Sequence, residues 1–263
     1  MFGIKPDTDA KKNGRDNAVE NGRQIGLGVI GLGRGFVLTA PALSAHSRVA
    51  LRGAFDVRTA AAERFTTAYQ ARQYPTLQAL LAAPDIEAVY VATPHEFHTE
   101  HAIAALAAGK HVLIDKPMAT SVEECVAIER ASRKFGRVAM VGPSHGFDPP
   151  IAQARELIRS GAYGSVRLIT AFNFTDFMFR PRRPSELDSA SGGGVVFSQA
   201  AHQIDIVRRL TERPVSSVRA SALNWDASRP SEGAYTAMLS FEGGAVASLT
   251  YSGYAHYDSD ELL

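Results

Sequence analysis

The chain has 263 residues, of which 45% are hydrophobic and 21% charged, the composition of a globular protein with room for two modest domains or one large one. Its 28 Lys and Arg against 27 Asp and Glu leave a formal charge of +1, so no overall field favours nucleic acid or an anionic membrane as partner. The single cysteine, Cys125, excludes an internal disulfide and a multi-thiolate zinc site, and no apolar run reaches the roughly 20 residues of a membrane span.

Residues 1–23 are rich in Asp, Asn, Lys and Gly without apolar periodicity, and read as a disordered tail. The tail contains no apolar signal segment, which leaves the reducing cytoplasm as the expected compartment. A short apolar run, 24–30, opens the folded region and ends in Gly31-Leu32-Gly33-Arg34-Gly35-Phe36. A helix is expected over 37–44, a strand over 49–55 closed by Asp56, and a helix over 59–71. A third buried strand spans 86–92 and ends at Thr93-Pro94. An Ala-rich helix over 100–108 is stopped by Gly109. A strand at 111–114 and a helix at 121–135 follow, the latter opened by the capping-box pair Ser121 and Glu124, and a strand at 138–141 closes the series. Strands alternating with helices at this spacing predict parallel βαβ units and a doubly wound α/β Rossmann domain over 24–143. Beyond Gly142-Pro143 one helix (151–159) is followed by a β-like run (166–174), the trio Gly192-Gly193-Gly194, a helix from about Ser198 to Leu210, and β-like runs at 215–223, 234–241 and 245–251. Long strands with few helices predict a second, α+β domain over 144–263, with a mostly antiparallel sheet.

The glycine turn follows a strand and opens a helix, the setting in which backbone N–H groups and a helix N-terminus receive a pyrophosphate. Gly31, Gly33, Arg34 and Gly35 are therefore candidate cofactor contacts, and Phe36 stands where the third glycine of the usual fingerprint would fall. Asp56 lies 23 positions past Gly33, near the interval of roughly 20 for a carboxylate that binds the adenosine ribose. This favours NAD, with NADP kept open by Arg58.

The runs Thr93-Pro94-His95-Glu96-Phe97-His98 and Ala107-Ala108-Gly109-Lys110-His111-Val112-Leu113-Ile114-Asp115-Lys116-Pro117 resemble the Gfo/Idh/MocA family of NAD(P)-dependent oxidoreductases. Gly192-Gly193-Gly194 with His202 and Asp205 is similar to the family's second-domain signature. The resemblance implies reversible hydride transfer between a nicotinamide and a carbinol carbon. It assigns cofactor contacts to Thr93, Pro94, His95, His98, Asp115, Lys116 and Pro117, proton handling to Lys116, and a substrate-bonding or acid/base role to His202. It also implies that the Lys116–Pro117 bond is often cis. Departures are Asp115 for the usual Glu, His95 for a frequent Asn, and Ser198 where many sugar and inositol dehydrogenases carry Asp. Members usually continue past the point where this chain stops at Leu263, an expectation of missing final strands. His95, His98 and His101 step by three and drift around a helix, so cofactor contact is expected in preference to metal.

On a helix from Ser198, residues 198, 202, 205 and 209 share one face. Ser198 and Asp205 thereby become candidate substrate contacts, Asp205 chiefly as an orienting group. The stretches 144–150, 176–184 and 253–260 resemble the phthalate 4,5-cis-dihydrodiol dehydrogenase branch of the family. The first of these adds His145 as a candidate substrate contact. Arg180, Arg182 and Arg183 crowd the loop 177–184, where Arg180 and Arg182 are expected to clasp the carboxylates of an aromatic dicarboxylate. The function expected is an NAD(P)-dependent dehydrogenase of a cyclic alcohol, with CH–OH or cis-dihydrodiol donors. The alternatives are an aldose or inositol dehydrogenase and a non-catalytic nucleotide-binding regulator. A homodimer or homotetramer through the second-domain sheet is expected by fold analogy.

Overall fold

A computed structural model describes residues 23–259; the tail expected over 1–23 lies outside these apart from Arg23. In chain order the elements are β1 (Ile25–Ile30), α1 (Arg34–Ala45), β2 (Val49–Phe55), α2 (Thr59–Tyr69), β3 (Arg72–Gln73), α3 (Leu77–Ala82), β4 (Ala88–Val91), α4 (His98–Ala107), β5 (His111–Ile114), α5 (Val122–Phe135) and β6 (Ala139–Val141). There follow α6 (Pro149–Arg159), β7 (Leu168–Phe174), α7 (Ala201–Thr211), β8 (Val215–Leu223), β9 (Ala234–Phe241) and β10 (Val246–Ser252).

The first six strands form one parallel sheet in the order β3-β2-β1-β4-β5-β6. The apolar runs of β1 and β4 do not alternate with polar residues because helices cover both faces. On one face Ile30, Val89 and Val91 pack with Leu80, Leu106 and Ile128. On the other, Leu27, Val29 and Tyr90 pack with Phe36 and Phe65. The strand order reverses between β1 and β4, and the crevice at such a switch point, past the C-terminal strand ends, is where doubly wound sheets take ligands. The glycine turn, Asp56, Thr93 and the pair Asp115-Lys116 directly follow β1, β2, β4 and β5, so all four reach this one edge.

The second sheet runs β7-β10-β9-β8. β10 pairs antiparallel with β9, as β9 does with β8, while β7 lies parallel to β10. One face carries Ala247, Leu249 and Tyr251 into a core completed by Val207, Phe177 and Met178. The other face leaves Leu168, Phe172 and Met238 exposed, while Val218 is exposed on the core side of edge strand β8.

Three local outcomes refine the expected elements. The capping box forms: Glu124 N–H donates to Ser121 Oγ (3.2 Å) and Ser121 N–H to Glu124 Oε2 (3.1 Å). β3 and the six-residue α3 lie in a stretch too short to show periodicity; α3 is nucleated by Thr76, whose hydroxyl accepts from Ala79 N–H. The helix expected from Ser198 begins as a π turn over Val196–Ala200 before α7, where Ser198 Oγ donates to Gly194 O (2.6 Å). Among the described residues no helix is long and apolar enough to cross a membrane.

Candidate active site

A cavity of about 1380 Å³ runs from the glycine turn, between the two sheets, to the β10 end of the second. Gly31, Gly33, Arg34, Gly35, Asp56, Arg58, Thr93, Pro94, His95, Asp115, Lys116, His145, Arg180, Arg182, Ser198 and His202 line it. Residues far apart in the chain thus meet at one surface.

At the glycine turn, Gly31 sits at φ +87° against the backbone of Ala92, a conformation that side chains rarely adopt. A Cβ on Gly33 would meet only Ala92 O, at 3.7 Å, so the wall there is open. Helix α1 begins at Gly33 with no side-chain cap and no acidic residue in its first turn. Its N–H groups and positive dipole end are therefore left for an anion, which is what a dinucleotide pyrophosphate requires. Gly35 has a different reason to be glycine: a Cβ there would collide with the Asp115 carboxylate. Asp56 accepts from Leu32 N–H (2.7 Å), Arg58 N–H (2.8 Å), and Arg58 Nε and Nη2 (3.0 Å each). Burial pushes its pKa up, but the Arg58 side chain and the two backbone donors outweigh this and hold the carboxyl below its usual range. Arg58 donates to both oxygens of the Asp56 carboxylate and covers it, leaving the side chain 5% exposed.

At the inner end stands Lys116. Its ammonium donates to the backbone O of Ser198 (2.8 Å). Burial lowers its pKa, and Arg182 and Arg34 add to this, while Asp115 pulls the other way. The Lys116–Pro117 bond is cis. His202 packs against His145 with ring centroids 4.3 Å apart at 63°, and its Nδ1 is buried without a hydrogen-bond partner. Burial first, then the charges of Lys116 and His145, push the His202 pKa down to about 3, so the ring is neutral at physiological pH. His145 Nδ1 lies 2.9 Å from Asp148 Oδ2, and His95 Nδ1 lies 3.1 Å from Gly192 O.

Several sequence expectations are corrected. Phe36 does not face the cavity; it is buried against Phe65 and Tyr69. His98 is fully buried, its ring nitrogens 2.8 Å from Pro117 O and 2.9 Å from Thr93 O. It pins two cavity loops from behind, and Pro117 lies behind the wall with it. Asp205 is also withdrawn: it accepts from Arg209 Nε (2.5 Å), and Arg209 covers the Phe147 ring at 4.0 Å. It orients the wall at Phe147 rather than the substrate. Arg180 is engaged by Asp176 and by Asp258 Oδ2 (2.9 Å). Ser198 turns its hydroxyl to Gly194 O and presents its carbonyl to Lys116. Sequence reasoning passed over Thr175 and Glu186, which stand in irregular backbone without a periodic signal, and Tyr251 on β10; all three also line the cavity. Among the described residues no three His, Cys, Asp or Glu side chains come together as metal ligands.

Residues 25–143 match the oxidoreductase family with NAD-binding Rossmann fold, and residues 151–262 match the GFO/IDH/MocA C-terminal domain. A 1-carboxy-3-chloro-3,4-dihydroxycyclohexa-1,5-diene dehydrogenase from Comamonas testosteroni is 46% identical over 238 residues, 90% of this chain and 60% of the relative. A solved structure from Bordetella bronchiseptica RB50 superposes with TM-score 0.87 at 39% identity, over 91% of this chain and 63% of the other. GenD2 from gentamicin A biosynthesis, solved in complex with NAD, superposes with TM-score 0.81 at 26% identity, over 89% of this chain and 67% of GenD2. The chain thus spans about three fifths of the length of the first two.

Proposed function

The chain belongs to the Gfo/Idh/MocA oxidoreductase family, and on that premise we propose that it is an NAD-dependent dehydrogenase of a ring-borne vicinal diol, with 24–143 holding the dinucleotide and 144–263 the substrate. The observation that carries the reading is Lys116: a buried amine at the C-terminal end of β5, in the same cavity as the glycine turn and the neutral His202. Likeness to the Comamonas enzyme supports a cyclohexadiene diol as the substrate class.

The residues that would hold NAD are the N–H groups at the start of α1 with Arg34 for the pyrophosphate, and Asp56 for the adenosine ribose. When bound, NAD supplies the hydride acceptor. Lys116, whose proton burial makes easier to lose, takes as the free amine the proton from the hydroxyl whose carbon loses its hydride. Its tie to Ser198 O leaves the nitrogen lone pair for that proton. His202 holds the hydroxyl through a ring nitrogen, as hydrogen-bonding partner and not as a group that changes charge near neutrality. The carbinol carbon becomes a carbonyl, and in a cyclohexadiene diol the enol form of that product is aromatic. The neighbouring walls of Phe147, Phe177 and Tyr251 suit a flat ring.

The test is formation of reduced nicotinamide from NAD over a panel of ring diols, with myo-inositol and an aldose beside them. Turnover of a cyclohexadiene cis-diol supports the reading. Turnover of the inositol or aldose alone replaces it, and failure to bind NAD overturns it.

A further inference from the structure

We propose that Arg182 is the receptor for a single carboxylate on the substrate ring, and that Arg180 has no part in it; this rests on the diol reading above. The loop 177–184 offers three guanidinium groups, which on sequence suits a dicarboxylate. The structure separates them. Arg180 is clasped between Asp176 and Asp258. Arg183 is exposed and donates to Glu186 Oε2 at 3.2 Å. Of the other cavity cations, Arg58 is held by Asp56, Lys116 by Ser198 O, and Arg34 stands on the glycine turn.

Arg182 differs from all of these. Its side chain is 9% exposed and borders the cavity. Among the described residues its Nε is buried without a hydrogen-bond partner, and Glu186, 3.5 Å from Nη1, is its one ionic neighbour and is shared with Arg183. Burial lowers its pKa, and Arg34 and Arg180 add to this, with Glu186 compensating only in part. A desolvated, incompletely paired cation is costly to keep in a protein interior, and an entering carboxylate repays that cost with two parallel N–H···O bonds.

The guanidinium is also aimed in advance. Its Cζ lies over the Phe177 ring, 3.9 Å from the centroid. Phe177 is buried and fixed in turn: its N–H donates to Thr175 Oγ1 (3.2 Å), which lies 2.6 Å from the Tyr251 hydroxyl. A platform of this kind favours one planar, singly charged group beside a ring, and within the loop 177–184 the other two forks are engaged, Arg180 by Asp176 and Asp258 and Arg183 by Glu186. Lys116 and Arg182 share the cavity, so one end of the substrate is held by charge while the diol meets the amine.

The experiment compares a cyclohexadiene cis-diol carrying one carboxylate with its methyl ester, by kcat/KM at saturating NAD, in wild type, Arg182→Met, Arg182→Lys and Arg180→Met. In parallel, calorimetry measures binding of a catechol monocarboxylate (protocatechuate) and its methyl ester. Wild type is expected to prefer acid over ester by about thirtyfold or more, the scale of a buried charge pair. Arg182→Met should abolish that preference, Arg182→Lys should keep only part of it, and Arg180→Met should retain it. Should Arg182→Met fail to fold, the lysine variant, which keeps the charge but loses the fork, carries the comparison. A preference that survives at position 182 or vanishes at position 180 overturns the proposal. Oxidation of neither diol, with the carboxylate still bound through Arg182, would sink the dehydrogenase reading and leave the carboxylate site standing. Equal binding of acid and ester by wild type would remove the site whatever the turnover.

Discussion

Lys116 and His202 sit in one cavity, yet burial sends them to opposite consequences. Loss of water favours the neutral amine, which is the form able to accept a proton. The kcat/KM for a diol should therefore rise with pH, and the midpoint should fall below the 10.5 of an unperturbed lysine; activity disappears as pH drops through that midpoint. His202, already neutral down to about pH 3, should add no limb near its ordinary value of 6.5. Lys116→Met should lower kcat by about two to four powers of ten, the span of a lost general base, and leave NAD affinity nearly intact; stopped-flow turnover and fluorescence titration check the two halves. A second residue-level expectation concerns Arg58, whose fork engages both carboxylate oxygens of Asp56. Arg58→Ala frees those oxygens for ribose hydroxyls and removes a partner for a 2′-phosphate. The NAD to NADP affinity ratio should rise about three- to tenfold, consistent with an exposed ion pair worth about 1 kcal/mol. A ratio that falls would place Arg58 on the NAD side of the balance.

Elements meet at the site through contacts that cross from one strand end to the next. The start of α1 approaches the end of β5 so closely that Gly35 and the Asp115 carboxylate share space. Gly35→Ala alone should destabilise the fold, because Asp115 must move. In an Asp115→Ala background the same change should be neutral or stabilising by up to about 1 kcal/mol, since alanine is the better helix former. Urea unfolding of the four proteins measures this reversal of sign. His98, at the start of α4, ties the end of β4 to the loop after β5; His98→Leu should cost about 1–3 kcal/mol by removing the ring N–H that serves a buried carbonyl there. These contacts also show what the sequence made legible. The glycine turn and Asp56 could be found because each closes an apolar run, and parallel strands bring such ends to one edge; Thr93 and Lys116 were marked by the family resemblance of the runs that hold them. The burial of His98 and the withdrawal of Asp205 behind Phe147 had no such marker. The Arg180–Asp258 pair spans 78 positions and leaves no local trace. The π turn at Val196–Ala200 inserts a residue that a 3.6-residue period cannot anticipate.

For the whole molecule, the second sheet turns the face away from its core to solvent, with Leu168, Phe172 and Met238 exposed on it. A face of this kind suits burial against a second copy of the chain. Light scattering after gel filtration should report a dimer or larger, and Phe172→Glu should shift it toward monomer without loss of secondary structure. Monomeric wild type would remove the expectation. The loops after β4 and β5 are also joined inside the cleft to the segment leading into α7, by His95 to Gly192 O and by Lys116 to Ser198 O. The acceptor in both is main chain, and main chain survives any replacement of the side chain it carries. The hold on Lys116 is thus indifferent to which side chain stands at position 198, so a Ser198→Ala variant should keep the amine in place.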